Sequence, residues 1–326
     1  MDKKELRTTL RWLAPVLPAA AMLALAVGLN QRAILFPEAI ALAFGVWVMH
    51  RPAWIASPTR MVAGPVLCAV DGILVAQLFH ALHWSKWAAA AVALLIALAV
   101  LQLLAAPIGP AVSAAVLPVV FSLRTWDYPL AVLCICAAIA AVMFAIEQGR
   151  APAPAPMVAA GAWRVDRLLV LGAVSGGWLL VSGVLLDLPP VAVAPPLMVS
   201  ALEWAMLPAR TLQLALKRGV LLCGGCAVGS LALWTVPQEW VGGALAVAVV
   251  CLAARYLGEP HAPAMAMALV PYVAHEENPA VAGFGAAAGT VVTYAAISAV
   301  LALTARPRPG APAPDAPVPT APAAAR

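Results

Sequence analysis

The chain has too little charge to be a soluble protein. Only 10% of its 326 residues are Asp, Glu, Lys or Arg, whereas 64% are hydrophobic. A soluble domain carries roughly 25% charged residues, so a water-covered surface is excluded. The alternation of an outer-membrane barrel is also missing. Because helices satisfy their own backbone hydrogen bonds in lipid, we predict an all-α, polytopic helical membrane protein.

Several chemical signatures are missing as well. The chain has no Gly-rich phosphate loop, no His-Glu-x-x-His helix and no Gly-x-Ser-x-Gly elbow. We therefore expect no enzymatic activity, no cofactor and no metal. The net charge of +5 is scattered through loops, without the basic face that a nucleic-acid partner requires.

Cysteine is scarce, and all six cysteines lie in apolar runs. The Cys223-Gly-Gly-Cys226 spacing is that of a redox or metal motif. It stands among small residues, however, which let membrane helices approach closely. We expect a packing role and no disulfide framework.

What the chain does contain is an internal sequence repeat. Residues 107–120 (PIGPAVSAAVLPVV) match residues 260–273 (PHAPAMAMALVPYV) at a constant offset. Upstream, Cys68-Ala69-Val70 matches Cys226-Ala227-Val228. An ordered series of pairs predicts a duplicated unit, which is a common plan among transporters. Further pairs in the series are Arg60 with Arg218, Pro37 with Pro195, and Trp87 with Trp240.

Each copy holds six apolar segments, which gives about twelve in total. We predict a first transmembrane repeat over 1–148, a Pro/Ala-rich cytoplasmic linker over 149–163, a second repeat over 164–305 and a disordered Pro/Ala-rich tail over 306–326. The segments fall near residues 12–29, 34–49, 61–82, 87–105, 108–123, 129–147, 167–187, 191–207, 219–236, 240–257, 261–274 and 280–304.

Segments two and five of each copy are short and contain prolines, which break helices. Interrupted segments at matching positions of two halves indicate a transport site. We therefore expect the path to run where segments two, five, eight and eleven meet. The residues expected to gate or line it are Pro37, Pro110, Pro195, Pro263, Arg60 and Arg218.

Loop charge predicts the orientation. If every segment crosses, 16 of the 19 Lys and Arg residues lie on the side of the termini, and Arg32, Lys86 and Arg124 lie opposite. The positive-inside rule then places both termini in the cytoplasm, for a protein of the bacterial inner membrane. Six crossings per copy make the repeats parallel. If only one short segment per copy is re-entrant, the repeats are inverted.

Four ionisable residues lie in apolar segments, where they are costly. They are Glu38, Asp71, Glu203 and His261, and the other copy lacks each of them. We predict that Asp71 and Glu38 couple protons and that His261 helps to bind substrate. The alternatives are a structural hydrogen bond for Asp71, a water-accessible position for Glu203 and a helix cap for His261. Arg60 and Arg218 either follow the positive-inside rule or attract an anion to the cytoplasmic mouth.

A family resemblance rests on the second copy. His261-Ala262-Pro263-Ala264-Met265-Ala266, followed by Leu269-Val270-Pro271, resembles the motif of the HPP family of small integral membrane proteins. Residues 195–201 (PPLMVSA) and the pair Lys217-Arg218 resemble the family's first conserved region. Ala262 replaces the motif's middle proline, and the first copy has Ile108-Gly109-Pro110-Ala111 there. Because some members are associated with nitrite movement, the resemblance implies a small inorganic anion as the first substrate to test.

The chain is also similar in plan to fusaric-acid-resistance-type aromatic acid exporters, which usually carry a soluble domain that is missing here. The predicted function is a secondary transporter or facilitator of a small solute. The alternatives are an aromatic or organic acid exporter and a membrane scaffold that needs a partner subunit. The expected partners are the lipid bilayer, the small solute and a second copy in a homo-oligomer.

Overall fold

The computed structural model describes residues 3–55, 57–146 and 165–304, and every regular element in these ranges is helical. The predicted linker over 149–163 and tail over 306–326 lie outside the described residues. The six cysteines are free thiols.

The first half of the bundle comprises helices α1–α8 and the second half α9–α15. Their bounds are α1 Lys3–Leu13, α2 Val16–Gly28, α3 Glu38–Ala43, α4 Pro52–Ile55, α5 Pro58–Ala81, α6 Lys86–Leu103, α7 Gly109–Val120, α8 Asp127–Ile146, α9 Val165–Leu180, α10 Pro195–Met206, α11 Leu212–Thr235, α12 Glu239–Leu257, α13 Ala262–Met267, α14 Val270–Ala274 and α15 Pro279–Leu303.

Eight helical stretches are long and apolar enough to cross a membrane. Each has at least 18 residues, and about 20 residues at 1.5 Å per residue span the ~30 Å hydrocarbon layer. The chain is therefore an integral, polytopic helical membrane protein. The eight stretches are Glu5–Gly28, Pro58–Ala81, Lys86–Leu103, Asp127–Ala145, Val165–Leu185, Leu212–Thr235, Glu239–Leu257 and Pro279–Leu303.

Four shorter segments occupy the middle of the bundle. They are α3 with the π-helical turn Phe44–Val48, α7, α10, and α13 with α14. Every residue of α3, α7 and α13 is buried, as are ten of the twelve residues of α10. The order long, short, long, long, short, long therefore occurs twice. These four segments are the short, proline-containing ones predicted from the sequence.

The same helix pairs pack in both halves. α5 contacts α6, α7 and α8, and α11 likewise contacts α12, α13 and α15. Between the halves, α2 packs on α12 as α6 packs on α9, and α3 packs on α13 as α7 packs on α10. In each half, the first long helix and the short helices thus pack against the other half.

Two glycines show the internal correspondence most closely. A Cβ atom on Gly72 of α5 would collide with the Ala115 carbonyl oxygen of α7. A Cβ atom on Gly229 of α11 would collide with the Ala268 carbonyl oxygen after α13. Only glycine permits helix backbones to approach this closely.

The burial pattern corrects the predicted alignment by one residue. Each of the eight buried positions of α11 lies 157 residues after a buried position of α5, whereas the cysteine match implied 158. Arg218 therefore corresponds to the buried Met61, and Arg60 corresponds to Lys217. The prediction that Arg60 and Arg218 are equivalent is wrong, because Arg60 is exposed at the start of α5 and Arg218 is buried within α11.

Polar contacts define the two ends of the bundle. At one end, here called the basic face, Arg11 donates to the carbonyls of Trp47 and Val48. Arg167 of α9 donates in the same way to the carbonyls of Ala205 and Leu207, at the end of α10. A cation at a helix C-terminus satisfies the free carbonyls and complements the helix dipole.

At the other end, the opposite face, Gln31 donates to the Asp127 carboxylate at 3.1 Å. Next to it Arg32 reaches the Tyr272 carbonyl at 3.1 Å and the Glu239 carboxylate. The segment from Arg32 to Val48 therefore runs from one face of the bundle to the other.

Candidate functional site

A cluster of charged side chains lies near the basic face, where the two halves meet. Arg51 Nη2 lies 2.6 Å from Glu203 Oε1, and His261 Nδ1 lies 3.5 Å from Glu203 Oε2. Arg218 donates from Nε to Glu259 Oε1 at 2.8 Å, and its Nη1 lies 3.9 Å from Glu203 Oε2. We call these five residues the ion-pair cluster.

Local structure explains how these residues come together. Glu203 lies in the last turn of the short helix α10, which packs between the two halves. His261 has extended backbone angles and precedes the first turn of α13, which contains Pro263. Its side chain makes no capping hydrogen bond. The histidine therefore does not cap this helix, and its ring contacts α10 instead.

The charges within the cluster balance. Arg51 and Arg218 oppose Glu203 and Glu259, and the Glu203 side chain is only 11% exposed. Such a pair is costly to break, because the remaining partner is left as a buried charge. The cluster contains the predicted residues Glu203, His261 and Arg218.

Hydrogen bonds extend the cluster toward the middle of the membrane. Ser200 Oγ lies 2.9 Å from His261 Nε2 and hydrogen-bonds the Tyr294 hydroxyl. The Tyr294 ring stacks on Trp204, with ring centroids 4.4 Å apart. Trp204 Nε1 in turn donates to Ser298 Oγ at 2.9 Å. This network joins α10, α15 and the start of α13.

The order Glu203–His261–Ser200 has the connectivity of a hydrolytic triad. Ser200 and His261 are both 0% exposed. The Tyr294 hydroxyl also hydrogen-bonds the Ser200 hydroxyl and therefore lies directly beside it. A substrate has no access to Ser200 in this arrangement, so we interpret the three residues as a structural network.

Glu38 lies apart from the ion-pair cluster. It is the first residue of α3, roughly 15 Å along the helix from Val48 at 1.5 Å per residue, and it is 0% exposed. Ser113 of α7 and Tyr128 of α8 are close enough to interact with it and are equally buried. Neither carboxylate oxygen, nor the hydroxyl of Ser113 or of Tyr128, has a hydrogen-bond partner among the described residues.

Asp71 is the least buried of the four ionisable residues predicted to form the site. It lies partly exposed on α5, and Cys68, one turn away, is close enough to interact with it. Its buried oxygen Oδ2 has no hydrogen-bond partner within the described part of the chain. No hydrogen bond or ion pair there joins it to Glu38. The two residues predicted to act together therefore have no direct contact in the described structure.

The predicted prolines begin helices and do not kink them. Pro37 immediately precedes α3, Pro195 is the first residue of α10, and Pro110 and Pro263 are the second residues of α7 and α13. Proline is favoured in a first turn, where no helical donor is lost. Arg60 is exposed and donates to the Ala105 carbonyl at 3.4 Å, so it takes no part in the cluster.

Several residues of the site were not predicted. Arg51 and Glu259 stand in loops, where the positive-inside rule and the interface account for charge without a site. Ser200 and Trp204 flank Glu203 on the short helix, and that spacing was a usable signal. Tyr294 is one aromatic residue in a long apolar helix, and nothing in the sequence distinguishes it.

Comparison with known proteins adds no identity to this picture. No protein-family model, no curated protein and no solved structure matches the chain. The resemblance to the HPP family therefore rests on its short motifs alone. Within the described ranges no group of His, Cys, Asp and Glu side chains could hold a metal ion.

Proposed function

We propose that the protein is a secondary transporter or facilitator of a small solute, with a path lined by the four short segments. The observation that carries this proposal is the placement of Glu38. It is a fully buried carboxylate without a hydrogen-bond partner in the described structure, at the start of a short helix inside the bundle. Such a residue is costly in a membrane and is a candidate for proton or substrate binding.

Ion pairs at both faces support this proposal. The ion-pair cluster joins Arg51 of the first half to Glu203 of the second half. At the opposite face, Arg32 of the first half lies 2.6 Å from Glu239 of the second half. We infer that these contacts close the path at its two ends and open alternately as the halves move against each other.

The proposed topology has twelve crossings in two parallel repeats. The segment from Arg32 to Val48 leads from one face to the other, and we propose that the other three short segments cross in the same way. With twelve crossings the basic face is cytoplasmic by the positive-inside rule. Both termini are then in the cytoplasm and the protein lies in an inner membrane of bacterial type.

The substrate proposed first is a small inorganic anion such as nitrite, on the basis of the HPP resemblance. An anion beside an ionised Glu38 would be repelled, because the surrounding medium screens charge poorly. A protonated Glu38 removes this repulsion. We therefore propose that the anion and a proton move together, with His261 near the cytoplasmic end of the path.

A proteoliposome assay tests the proposal. Liposomes with purified protein and an internal pH dye receive nitrite, benzoate or chloride outside, and protein-free liposomes give the baseline, since undissociated acids cross lipid unaided. We expect nitrite to acidify the lumen above baseline. Glu38→Gln should abolish this acidification, and Glu277→Gln, an exposed carboxylate at the opposite face, should leave it intact.

Other outcomes favour the alternatives. Acidification by benzoate but not by nitrite supports an aromatic or organic acid exporter. No flux of any solute, together with a stoichiometric copurifying subunit, supports a membrane scaffold. Undiminished nitrite-driven acidification in Glu38→Gln would remove Glu38 from the mechanism.

A further inference from the structure

Two arginines meet at the end of α10. Arg167 Nη1 donates to the Ala205 carbonyl at 3.1 Å, and Arg210 Nη2 donates to the same oxygen at 3.1 Å. Arg210 Nε donates to the Trp204 carbonyl. Within the described residues neither guanidinium forms an ion pair with a carboxylate.

The pairing of like charges is unfavourable as it stands. Partial burial and the neighbouring Arg167 charge lower the pKa of the Arg210 guanidinium. A guanidinium offers five N–H donors, and within the described part of the chain Arg210 Nη1 and Arg167 Nη2 have no acceptor. An anion between them would relieve the repulsion and accept those donors.

A groove begins at Arg210, whose guanidinium shares the Ala205 carbonyl with Arg167. Its volume is about 550 Å³, and it runs between α11 and α15 from Arg210 and Thr211 into the membrane. The stacked rings of Trp204 and Tyr294 also line it. Exposed aliphatic side chains form its outer part, namely those of Leu212, Leu216, Val220 and Val291.

The dimensions and polarity of the groove fit one kind of molecule. Leu212 and Val220 are eight residues apart on α11, about 12 Å along the axis, which matches most of one leaflet's ~15 Å of hydrocarbon. The arginines lie at the level of the helix starts, where headgroups lie. Basic pockets between membrane helices on the cytoplasmic side are suited to anionic headgroups.

We propose that this groove binds one anionic glycerophospholipid of the basic-face leaflet. Its phosphate is held by Arg167 and Arg210, and one acyl chain lies along α11 and α15 on the Trp204–Tyr294 stack. This site is separate from the transport path. Since the stack belongs to the network around Ser200, lipid binding should stabilise α10.

The larger groove of the first half offers a contrast. It has a volume of about 1340 Å³ between α2 and α8, with Arg11 and His50 at the basic face and Asp127 at the other end. Arg11 is the counterpart of Arg167, but among the described residues no second arginine donates to the carbonyls that it contacts. We therefore expect lipid there without selection for a negative headgroup.

Lipid titration of delipidated protein in a neutral detergent tests the proposal. The probes are phosphatidylglycerol, phosphatidylcholine with identical acyl chains, and inorganic phosphate. Melting temperature and native mass spectrometry are the readouts. We expect a one-lipid complex with phosphatidylglycerol, a larger rise in Tm than with phosphatidylcholine, and at least tenfold tighter binding.

Matched variants assign the effect to the site. Arg167→Gln with Arg210→Gln should bring phosphatidylglycerol binding down to the phosphatidylcholine level, and Arg60→Gln, an exposed arginine of the same face, should not. If the double variant does not fold, Arg210→Gln alone, which keeps the Arg167 contacts, should lose most of the preference. Equal binding of both lipids, a preference retained in the Gln variants, or equal stabilisation by inorganic phosphate alone overturns the proposal.

Discussion

Arg51 of the first half forms an ion pair with Glu203 of the second half, with 2.6 Å between Nη2 and Oε1. Arg51 also lies over the Trp54 ring, 4.6 Å from its centroid, and Trp54 donates to the Pro107 carbonyl at 2.7 Å. One arginine thereby connects the loop after the π-helical turn, the start of α7 and the end of α10. The proposed movement of the two halves would have to break this contact.

The first prediction compares the ion pairs at the two faces. Arg51 and Glu203 side chains are 26% and 11% exposed, whereas those of Arg32 and Glu239 are 39% and 24% exposed. A double-mutant cycle with Arg51→Gln and Glu203→Gln should give a coupling of about 1–3 kcal/mol. The cycle with Arg32→Gln and Glu239→Gln should give less than about 1 kcal/mol. Denaturation of the purified variants measures both, and equal couplings would contradict a tighter closure at the basic face.

The second prediction concerns the sign of two carboxylate substitutions. Glu38→Leu removes a buried carboxylate that lacks a partner in the described structure, so it should raise stability by about 1–3 kcal/mol. Glu203→Leu leaves Arg51 and Arg218 without their shared partner and should lower stability by up to about 3–5 kcal/mol. Thermal unfolding in detergent distinguishes them, and a loss of stability in Glu38→Leu would show that Glu38 has a structural partner.

The third prediction uses two glycines of one helix. Gly229→Ala places a Cβ atom against the Ala268 carbonyl oxygen and should cost about 1–3 kcal/mol through overpacking. Gly224→Ala meets nothing within 4 Å and should be neutral or stabilise α11 by up to about 1 kcal/mol. The difference in melting temperature between the two variants is the measurement. Equal effects would mean that α11 and α13 do not approach closely.

The fourth prediction tests whether α7 crosses the membrane. Thr59 and Thr125 are both exposed, and they lie at the basic and opposite faces. In a background without native cysteines, Thr125→Cys should react with an impermeant maleimide in intact cells. Thr59→Cys should react only after permeabilisation. If α7 were re-entrant, both cysteines would react from the same side.

The helix plan was predictable from apolar length and proline position. Eight stretches are long enough to span, and each short segment has a proline in or just before its first turn. Length separates the two classes, because the long helices α5, α8 and α15 also have a proline in their first turns. The register between the two copies was harder to predict. Cys68 and Cys226 match in sequence at an offset of 158, but the buried faces of α5 and α11 match at an offset of 157. In helices built mainly of small and aliphatic residues, a one-residue shift changes the matched letters little but rotates the face by about 100°.

The candidate site was only partly predictable. Glu203 and His261 were recognisable as ionisable residues in apolar segments, and the structure brings them together. Their partner Arg51 was not, because a loop arginine has an ordinary explanation and its contact with α10 depends on how the halves pack. Asp71 illustrates the reverse case, since a position at the middle of a long helix does not determine which way its side chain faces.

The packing of α2 on α12 and of α6 on α9 bears on how the protein is made. The first long helix leaves the ribosome early, and the surface that receives it is among the last to be synthesised. Until then α2 must remain in the lipid without its permanent neighbour. Insertion and final assembly are thus separated in time, and we expect the two halves expressed as separate chains to be unstable alone and to form the bundle when they are made together.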